Sequence, residues 1–536
     1  MHVAPPLAER TLLHILRRGL ERHPDAPAIA DESLDLTYRQ LWERASRVAG
    51  GLRAAGVREG DTVLSMLESS ADCFVLLVAT SFLGAPLVPV NLAWNDTYLS
   101  HAVAKTECKV AVVDDHLVET LEHAAGESVR TLIVRQPDTR DATPAPDTPP
   151  ALTWAGLLGS DPVEPVEVGP GTVLAIIFTS GTTGKSKGVK TTHAQAFTMC
   201  FYSPHQPERG AQARWYVPAP MFHALGLFGG TLAPLIVGGS AYVATKFSPS
   251  RFWDDVRRSG ANFTFLIGPM VDFILAQPPR PDDRDHQLGI VNAVPRTTTA
   301  VDFADRFGVR VTTSFGQSEC GTVIADWTGQ APPRSVGVPR TGVEVRLIGP
   351  DGSDVADGDP GELILRPEDP SVITPGYIND AEATAAVLRG DWYHSGDLLR
   401  RDKQGLYYFV DRIKDSIRRR GENISSVEVE LAVQTHPEVL DCAAIGVGDA
   451  VEQEVLAVVV RTESATLTEA ELVTYLLSRL PYYAVPRYVA FMTQLPRTQT
   501  GKIQKAALRT MEMNPWDREE AGIKVSRPTR PSASPR

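Results

Sequence analysis

Helical and strand patterns alternate over the first 130 residues, and no other feature limits the fold so tightly. "TYRQLWERASRVAGGLRAAG" has helical periodicity and is followed by the short apolar run "DTVLSML"; "CKVAVVDD" and "RTLIVRQ" come further on. Such alternation is the pattern of parallel strands joined by crossover helices, so an α/β architecture is expected. Residues 73–94, "CFVLLVATSFLGAPLVPVNLAW", carry no charge and reach the length of a membrane span. Gly84, Pro86, Pro89 and Asn91 interrupt the second half, so the stretch reads as a buried helix followed by a buried strand, with no membrane span. Leu12, Leu16 and Leu20 recur at helical spacing in a segment without the apolar core of a signal peptide, which predicts an amphipathic surface helix.

A chain of 536 residues exceeds what one core usually supports, so at least two domains are expected. Near "YYFVDRIKDSIRRRGENIS" the text changes to a compact α+β pattern, in which Ser425 with Glu428 and Thr468 with Glu471 read as capping boxes. The boundary falls near Asp411 to Lys414. The expected division is a large domain of parallel or mixed sheets with flanking helices over 1–411, a small mobile α+β domain over 412–510, and a disordered tail over 511–536. Residues 136–151 are rich in Pro, Asp and Thr and read as a surface loop. Five scattered cysteines without metal spacing fit a reduced cytoplasm. The formal net charge of −12 argues against nucleic acid as a partner.

The chemistry concentrates in "VLAIIFTSGTTGKSKGVKTTH". A buried strand runs into a loop of glycines and hydroxyls, which together with backbone N–H groups make an anion cradle. It is not a Walker loop: Thr179 stands where that motif needs its first glycine, and "GVKTTH" reads as a strand where a P-loop would start a helix.

Six further motifs follow in order: "PMFHALGL", "TSFGQSECG", "GELILR", "YHSGDL", "VDRIKDSIRRRGENIS" and "PRTQTGKI". With the loop, they make the chain resemble, over roughly residues 10–508, the superfamily of acyl- and aryl-CoA synthetases, nonribosomal-peptide adenylation domains and firefly luciferase. The texture is closest to crotonobetaine/carnitine-CoA ligases. The resemblance implies a cytoplasmic ligase using ATP, Mg2+ and CoA. A carboxylate attacks the α-phosphorus of ATP to give an acyl-adenylate and pyrophosphate, and the CoA thiol then displaces AMP. A separate carrier protein as acceptor and a homodimer are the macromolecular partners left open. A non-catalytic nucleotide-binding relative is the third reading, which the intact set Lys502, Glu319, Asp397 and Arg412 opposes.

The same resemblance assigns residues. Lys502 would bridge the carboxylate and the α-phosphate, two anions that repel by roughly 4 kcal/mol at about 4 Å and an effective dielectric near 20. Thr179, Ser180, Gly181, Thr182, Thr183, Gly184 and Lys187 would hold the β- and γ-phosphates, with Ser186 where the family has proline. Glu319 would hold the metal, and Phe315, Gly316 and Ser318 would line the adenine site. Asp397 and Arg412 would bind the ribose, and Lys414 would be the hinge. Gly421 and Arg420 would face the CoA tunnel, and the basic run Arg418, Arg419 and Arg420 could pair with the phosphates of CoA. His223, Gly268, Asn292, Ser314 and Gly321 would border the acid. His223 stands where amino-acid-activating relatives have an aspartate, and Asn292-Ala293-Val294-Pro295 replaces the family's Gly-Gly-Ala-Pro.

Overall fold

The computed structural model describes residues 4–94, 96–136, 152–179, 186–203, 207–296, 299–332, 334–419, 422–448, 453–497 and 503–525. The strands Val63–Met66, Leu87–Pro89, Val110–Asp114, Thr131–Arg135 and Val173–Thr179 run parallel within a seven-stranded sheet, as the alternation predicts. Successive residues point to opposite faces, and both faces are packed: Val63, Val112 and Ile177 enter one core, and Leu64, Val113 and Phe178 enter another. Burial on both faces is why these strands are apolar without alternation.

The uncharged run 73–94 resolves into the buried helix Ala71–Phe82 and the buried strand Leu87–Pro89. No helix among the described residues is long and apolar enough to cross a membrane. The amino-terminal helix Leu12–Arg22 forms as expected, but its inner face is Leu12, Leu13, Ile15, Leu16 and Gly19, with Leu20 only half-buried.

The second sheet changes direction along its length. Arg214–Val217, Ser240–Val243, Phe263–Ile267, Ile290–Val294 and the start of Arg310–Gln317 are parallel. From Thr313 onward that last strand pairs antiparallel with Gly321–Asp326. The sheet then continues through Ser335–Pro339 to an antiparallel group made of Tyr407–Arg412, Trp392–Arg401, Pro360–Pro367 and Val343–Ile348.

Beyond Arg412 comes the smaller α+β part. Val439–Gly448, Gln453–Arg461, Tyr488–Met492 and Trp516–Asp517 form a four-stranded sheet, with the helices Ser426–Gln434 and Glu469–Leu476 contributing to its core. The Thr468–Glu471 capping box forms in full. At Ser425 only half of the expected box is made: its Oγ accepts from the Glu428 N–H and donates to the Val410 carbonyl at 2.7 Å. The neighbouring Ser426 donates from its N–H and its hydroxyl to the buried Asp411 carboxylate at 2.6 and 2.7 Å, fastening the helix to the last strand of the large sheet.

The tail expectation over 511–536 is corrected in its first part. Trp516–Asp517 pairs with Tyr488–Met492, Arg487 binds Asp517 at 2.9 Å, and Arg518 is buried. The basic, proline-rich composition misled here because it belongs to residues further on. Residues 137–151 and 526–536 lie outside the described residues.

Candidate functional site

Four parallel strands of the second sheet end at one edge, and each is followed by a quoted motif or pocket residue. Val217 leads into "PMFHALGL", Ile267 into Gly268, Val294 into Pro295, and the Arg310–Gln317 strand into Ser318 and Glu319. In α/β sheets ligands bind beyond the carboxyl ends of strands, where backbone and loop side chains converge.

The Asp397 carboxylate is the best-anchored group. It is 3% exposed and lies directly opposite Arg412 in the register of two neighbouring strands. Arg412 Nε is 3.4 Å from Asp397 Oδ1, and Gln317 Nε2 donates to Asp397 Oδ2 at 2.6 Å and to the Ser395 carbonyl at 3.0 Å. Tyr393 Oη donates to Gln317 Oε1 at 2.6 Å, so the amide is gripped at both ends. Gln317 thereby locks the strand bearing Phe315 and Ser318 to the strand bearing Asp397. Phe315 is half-buried and stacks on Phe409, with ring centroids 6.1 Å apart.

Glu319 has an equally defined seat. Tyr377 Oη donates to Glu319 Oε1 at 2.9 Å, and the Glu319 carbonyl accepts from the Thr374 N–H at 2.7 Å. Burial and the Glu319 carboxylate push the Tyr377 phenol far above its ordinary value, which keeps it a donor. Lys187 Nζ lies 5.0 Å from the centroid of the same ring. Tyr377 therefore joins the metal candidate to the phosphate-loop lysine. Gln195 adds a brace: its Oε1 accepts from Thr192 N–H in a capping box, while its Nε2 donates to the Ser318 and Glu319 carbonyls at 2.7 and 3.1 Å.

The phosphate-loop strand pair is a hairpin. Val173–Thr179 pairs antiparallel with Lys187–Thr192, and Thr179 faces Lys187. "GVKTTH" is thus the strand that the sequence predicts. Ser180, Gly181, Thr182, Thr183 and Gly184 lie outside the described residues. At the loop's far end His101 Nε2 lies 2.9 Å from the Ser186 carbonyl.

On the acid side, His223 is half-buried beside Phe222, and its carbonyl accepts from Leu227 N–H at the start of the π-helix Leu225–Gly230. Met221 N–H donates to Ser69 Oγ at 3.1 Å, which fixes this loop to the first sheet's side of the molecule. Gly321 has φ +63, and a Cβ there would lie 2.9 Å from Met199 Cβ; a Cβ on Gly316 would lie 2.1 Å from the Gly321 carbonyl oxygen. Only glycines allow so tight a turn. Gly268 is buried at the start of the helix Gly268–Leu275, and Asn292 Nδ2 donates to Ser314 Oγ at 3.3 Å.

Lys414 follows the last large-sheet strand. Burial, and then the charge of Arg412, pull its ammonium below the ordinary lysine value, with Asp415 working the other way. Asp411 is pushed up by burial, opposed by Lys505 and by its bonds from Ser426. Lys502, Arg420 and Gly421 lie outside the described residues. Arg419 corrects the expectation for the basic run: it is 4% exposed, its Nε is 2.7 Å from Glu454, and it donates to the Tyr483 carbonyl, so it serves the interior of the small part. Gln317, Tyr377 and Gln195 escaped the reading of the sequence. Gln317 and Gln195 sit inside or beside quoted motifs, but their partners are 80 and 124 residues away.

The Asp397–Arg412 pair and the Glu319 carboxylate lie beyond the carboxyl ends of parallel strands, and comparison with known proteins gives the class, that of adenylate-forming enzymes. The chain belongs to the AMP-binding enzyme family, which matches residues 16–378, while the AMP-binding enzyme C-terminal domain matches residues 428–502. It is 34% identical over 505 residues to a feruloyl-CoA synthase of Amycolatopsis sp, covering 92% of this chain and 97% of that protein. A crotonobetaine/carnitine–CoA ligase of Citrobacter koseri is 29% identical over 499 residues, covering 88% and 93%. Among solved structures, ATP-bound MatB from Rhodopseudomonas palustris superposes with a TM-score of 0.81 at 27% identity, covering 92% and 98%.

Proposed function

We infer that the protein is an ATP-dependent, AMP-forming acyl-CoA ligase that activates a carboxylic acid as its adenylate and passes the acyl group to the CoA thiol. The observation that carries this is the Asp397–Arg412 pair, tied through Gln317 to the segment bearing Phe315, Ser318 and Glu319. Asp397 offers acceptors for two ribose hydroxyls, with Arg412 as a donor beside it. Phe315, Gly316 and Ser318 form the adenine wall. Thr179, Ser180, Gly181, Thr182, Thr183, Gly184 and Lys187 retain the departing pyrophosphate.

Glu319 fits Mg2+: one carboxylate beside phosphate oxygens is the usual protein share for this ion, and Tyr377 orients it. The ion would neutralise phosphate charge. Lys502 places a cation between the reacting anions, and His223, Gly268, Asn292, Ser314 and Gly321 border the acid.

A domain boundary near Asp411 to Lys414 is supported by the end of the large-sheet strand at Arg412 and the start of the next strand pair at Ile417. Lys414 lies between them as the hinge, about which the Lys502 segment gives way to the face carrying Gly421 and Arg420 for the thiol step. The five cysteines are free and buried, in keeping with a cytoplasmic setting.

The test is a panel of carboxylic acids with ATP and Mg2+, following pyrophosphate release with and without CoA and the thioester by mass. A thioester formed with one acid class is the expected result. An adenylate that accumulates untouched by CoA would mean that the acceptor is a carrier protein.

A further inference from the structure

The helix Asp96–Thr106 carries none of the quoted motifs, yet two of its residues reach the surroundings of Lys187. His101 and Lys105 stand one turn apart, on the same side of the helix. His101 Nε2 lies 2.9 Å from the Ser186 carbonyl oxygen; a carbonyl only accepts, so this nitrogen carries the proton and donates. The ring is half-buried and meets Phe178 edge-on, with centroids 6.4 Å apart, and Trp94 meets the same Phe178 edge-on at 5.6 Å. Phe178 stands opposite Gly188 in the phosphate hairpin, so His101 contacts both limbs of that hairpin.

Lys105 ties the helix to the segment that pairs with the Lys187 strand. Its Nζ donates to the Asn379 carbonyl at 2.8 Å and lies 3.6 Å from Asp380 Oδ2. Asn379 Nδ2 donates back to the Lys105 carbonyl at 2.8 Å, satisfying one of the acceptors that the last turn of a helix leaves open. Asn379 has φ +46, a left-handed conformation that asparagine adopts more readily than most residues. Just before it, Ile378 N–H donates to the Gly188 carbonyl at 2.8 Å, and Tyr377 Oη holds Glu319.

Lys187 therefore sits between two fixed carbonyls, that of Ser186 on His101 and that of Gly188 on Ile378. A Cβ on Gly188 would lie 2.7 Å from Ile378 Cγ2 and 2.9 Å from Ile176 Cγ2, so the backbone after Lys187 has no room to shift. On the side before Lys187 the His101 bond supplies the restraint. These two restraints place the Lys187 ammonium over the Tyr377 ring, beside the residue that seats Glu319.

We propose that His101 and Lys105 are positioning residues for the adenylation step: His101, through the Ser186 carbonyl, sets Lys187 for the pyrophosphate, and Lys105, through Asn379, holds Tyr377 on Glu319. The proposal rests on the ligase reading, which gives Lys187 and Glu319 their roles. Both residues act through others and take no part in bond making. The thiol step involves no pyrophosphate, so it lies outside their action.

The experiment uses the full chain with ATP, Mg2+ and an acid that the panel identifies, and it reads two half-reactions separately. One is acid-dependent pyrophosphate exchange; the other is thioester formation from supplied acyl-adenylate and CoA. His101→Phe keeps a ring against Phe178 and deletes the donor. It is expected to raise KM for ATP and for pyrophosphate by about three- to tenfold, the scale of one lost hydrogen bond, with KM for the acid within about twofold. The thiol half-reaction should be unchanged, which also reports that the variant folds. His101→Gln, whose Nε2 has a similar reach, should recover most of the loss. Lys105→Met keeps the apolar stem and should raise KM for ATP by about two- to threefold. Added Mg2+ should reduce the Lys105→Met effect, which acts through Glu319, and leave that of His101→Phe as it is.

Unchanged constants for ATP and pyrophosphate in His101→Phe, an equal loss in both half-reactions, or a His101→Gln variant no better than His101→Phe overturns the proposal and leaves the ligase reading intact. A Lys105→Met loss indifferent to Mg2+ overturns the part assigned to Lys105. Absence of any acid-dependent pyrophosphate release by wild-type protein across the acid panel overturns both the proposal and the ligase reading.

Discussion

The proposed nucleotide side and the proposed acid side share one sheet edge but are built by different rules. Among the described residues of the proposed nucleotide side, Asp397 is tied to Arg412 and Gln317, Gln317 to Tyr393, and Glu319 to Tyr377. On the proposed acid side the buried amide of Asn292 bonds Ser314 through Nδ2 while its Oδ1 is left unpaired. A nucleotide is the same in every turnover, so its groups can be held rigidly in advance by protein partners. A buried polar group left half paired is costly where it stands, so the two sides differ in how fully their buried polar groups are satisfied.

The largest effect that would break this contrast is expected at Lys502. Lys502→Ala should reduce acid-dependent pyrophosphate exchange by about two to three orders of magnitude, the usual scale for losing a preorganised charge at a developing anion. Thioester formation from supplied acyl-adenylate should survive. Parallel loss of both steps in folded protein would remove Lys502 from the adenylation step.

Next comes the locked pair. Asp397→Ala removes the carboxylate beside Arg412 and leaves Gln317 Nε2 with the Ser395 carbonyl alone, and KM for ATP is expected to rise by roughly ten- to a hundredfold while KM for the acid stays within about twofold. A rise confined to the acid would mean that the two sides are not separable. Tyr377→Phe should act in the same direction but more weakly, by about three- to tenfold, since it deletes one hydrogen bond and keeps the ring near Lys187. Raising the Mg2+ concentration should recover part of that loss if the bond orients Glu319; no recovery would assign Tyr377 to packing alone.

The smallest effect on activity lies beneath both sides, at His193. This residue begins the helix His193–Phe201 that carries Gln195, and its Nδ1 accepts from Leu12 N–H at 3.1 Å. Burial lowers its pKa from an ordinary 6.5 to about 4. The unfolded chain therefore binds the proton first as pH falls, so the contribution of neutral His193 is complete above pH 6.5 and is lost as pH drops from 6.5 toward 4. Its slope is at most about 1.4 kcal/mol per pH unit. His193→Gln, which can still accept from Leu12 but cannot be protonated, should flatten this part of the denaturation profile with activity at neutral pH nearly unchanged. An unaltered slope would put the acid sensitivity on other groups.

Much of this was legible in one dimension for a physical reason. Parallel strands buried on both faces must be apolar, so "VLAIIF" and "CKVAVVDD" declare themselves, and the glycine and hydroxyl loop between two strand patterns declares an anion cradle. Even the uncharged 73–94 stretch divides where its glycine and prolines stand. Misreadings came where a residue's partner is distant. Arg419 looks like a free member of a basic run until Glu454 and the Tyr483 carbonyl enclose it. Trp516–Asp517 looks like tail until it meets Tyr488–Met492.

The α/β class, the hairpin Val173–Thr179 with Lys187–Thr192 and the family could be read from the chain alone, because they depend on local periodicity and on short motifs whose members lie close together. It took the folded molecule to show that Gln317 bridges to Asp397, that Tyr377 seats Glu319 near Lys187, and that the buried Asn292 amide bonds Ser314. Those facts depend on which strand lies next to which, and hydrogen bonds between residues 22 to 80 positions apart leave no periodic trace in a chain.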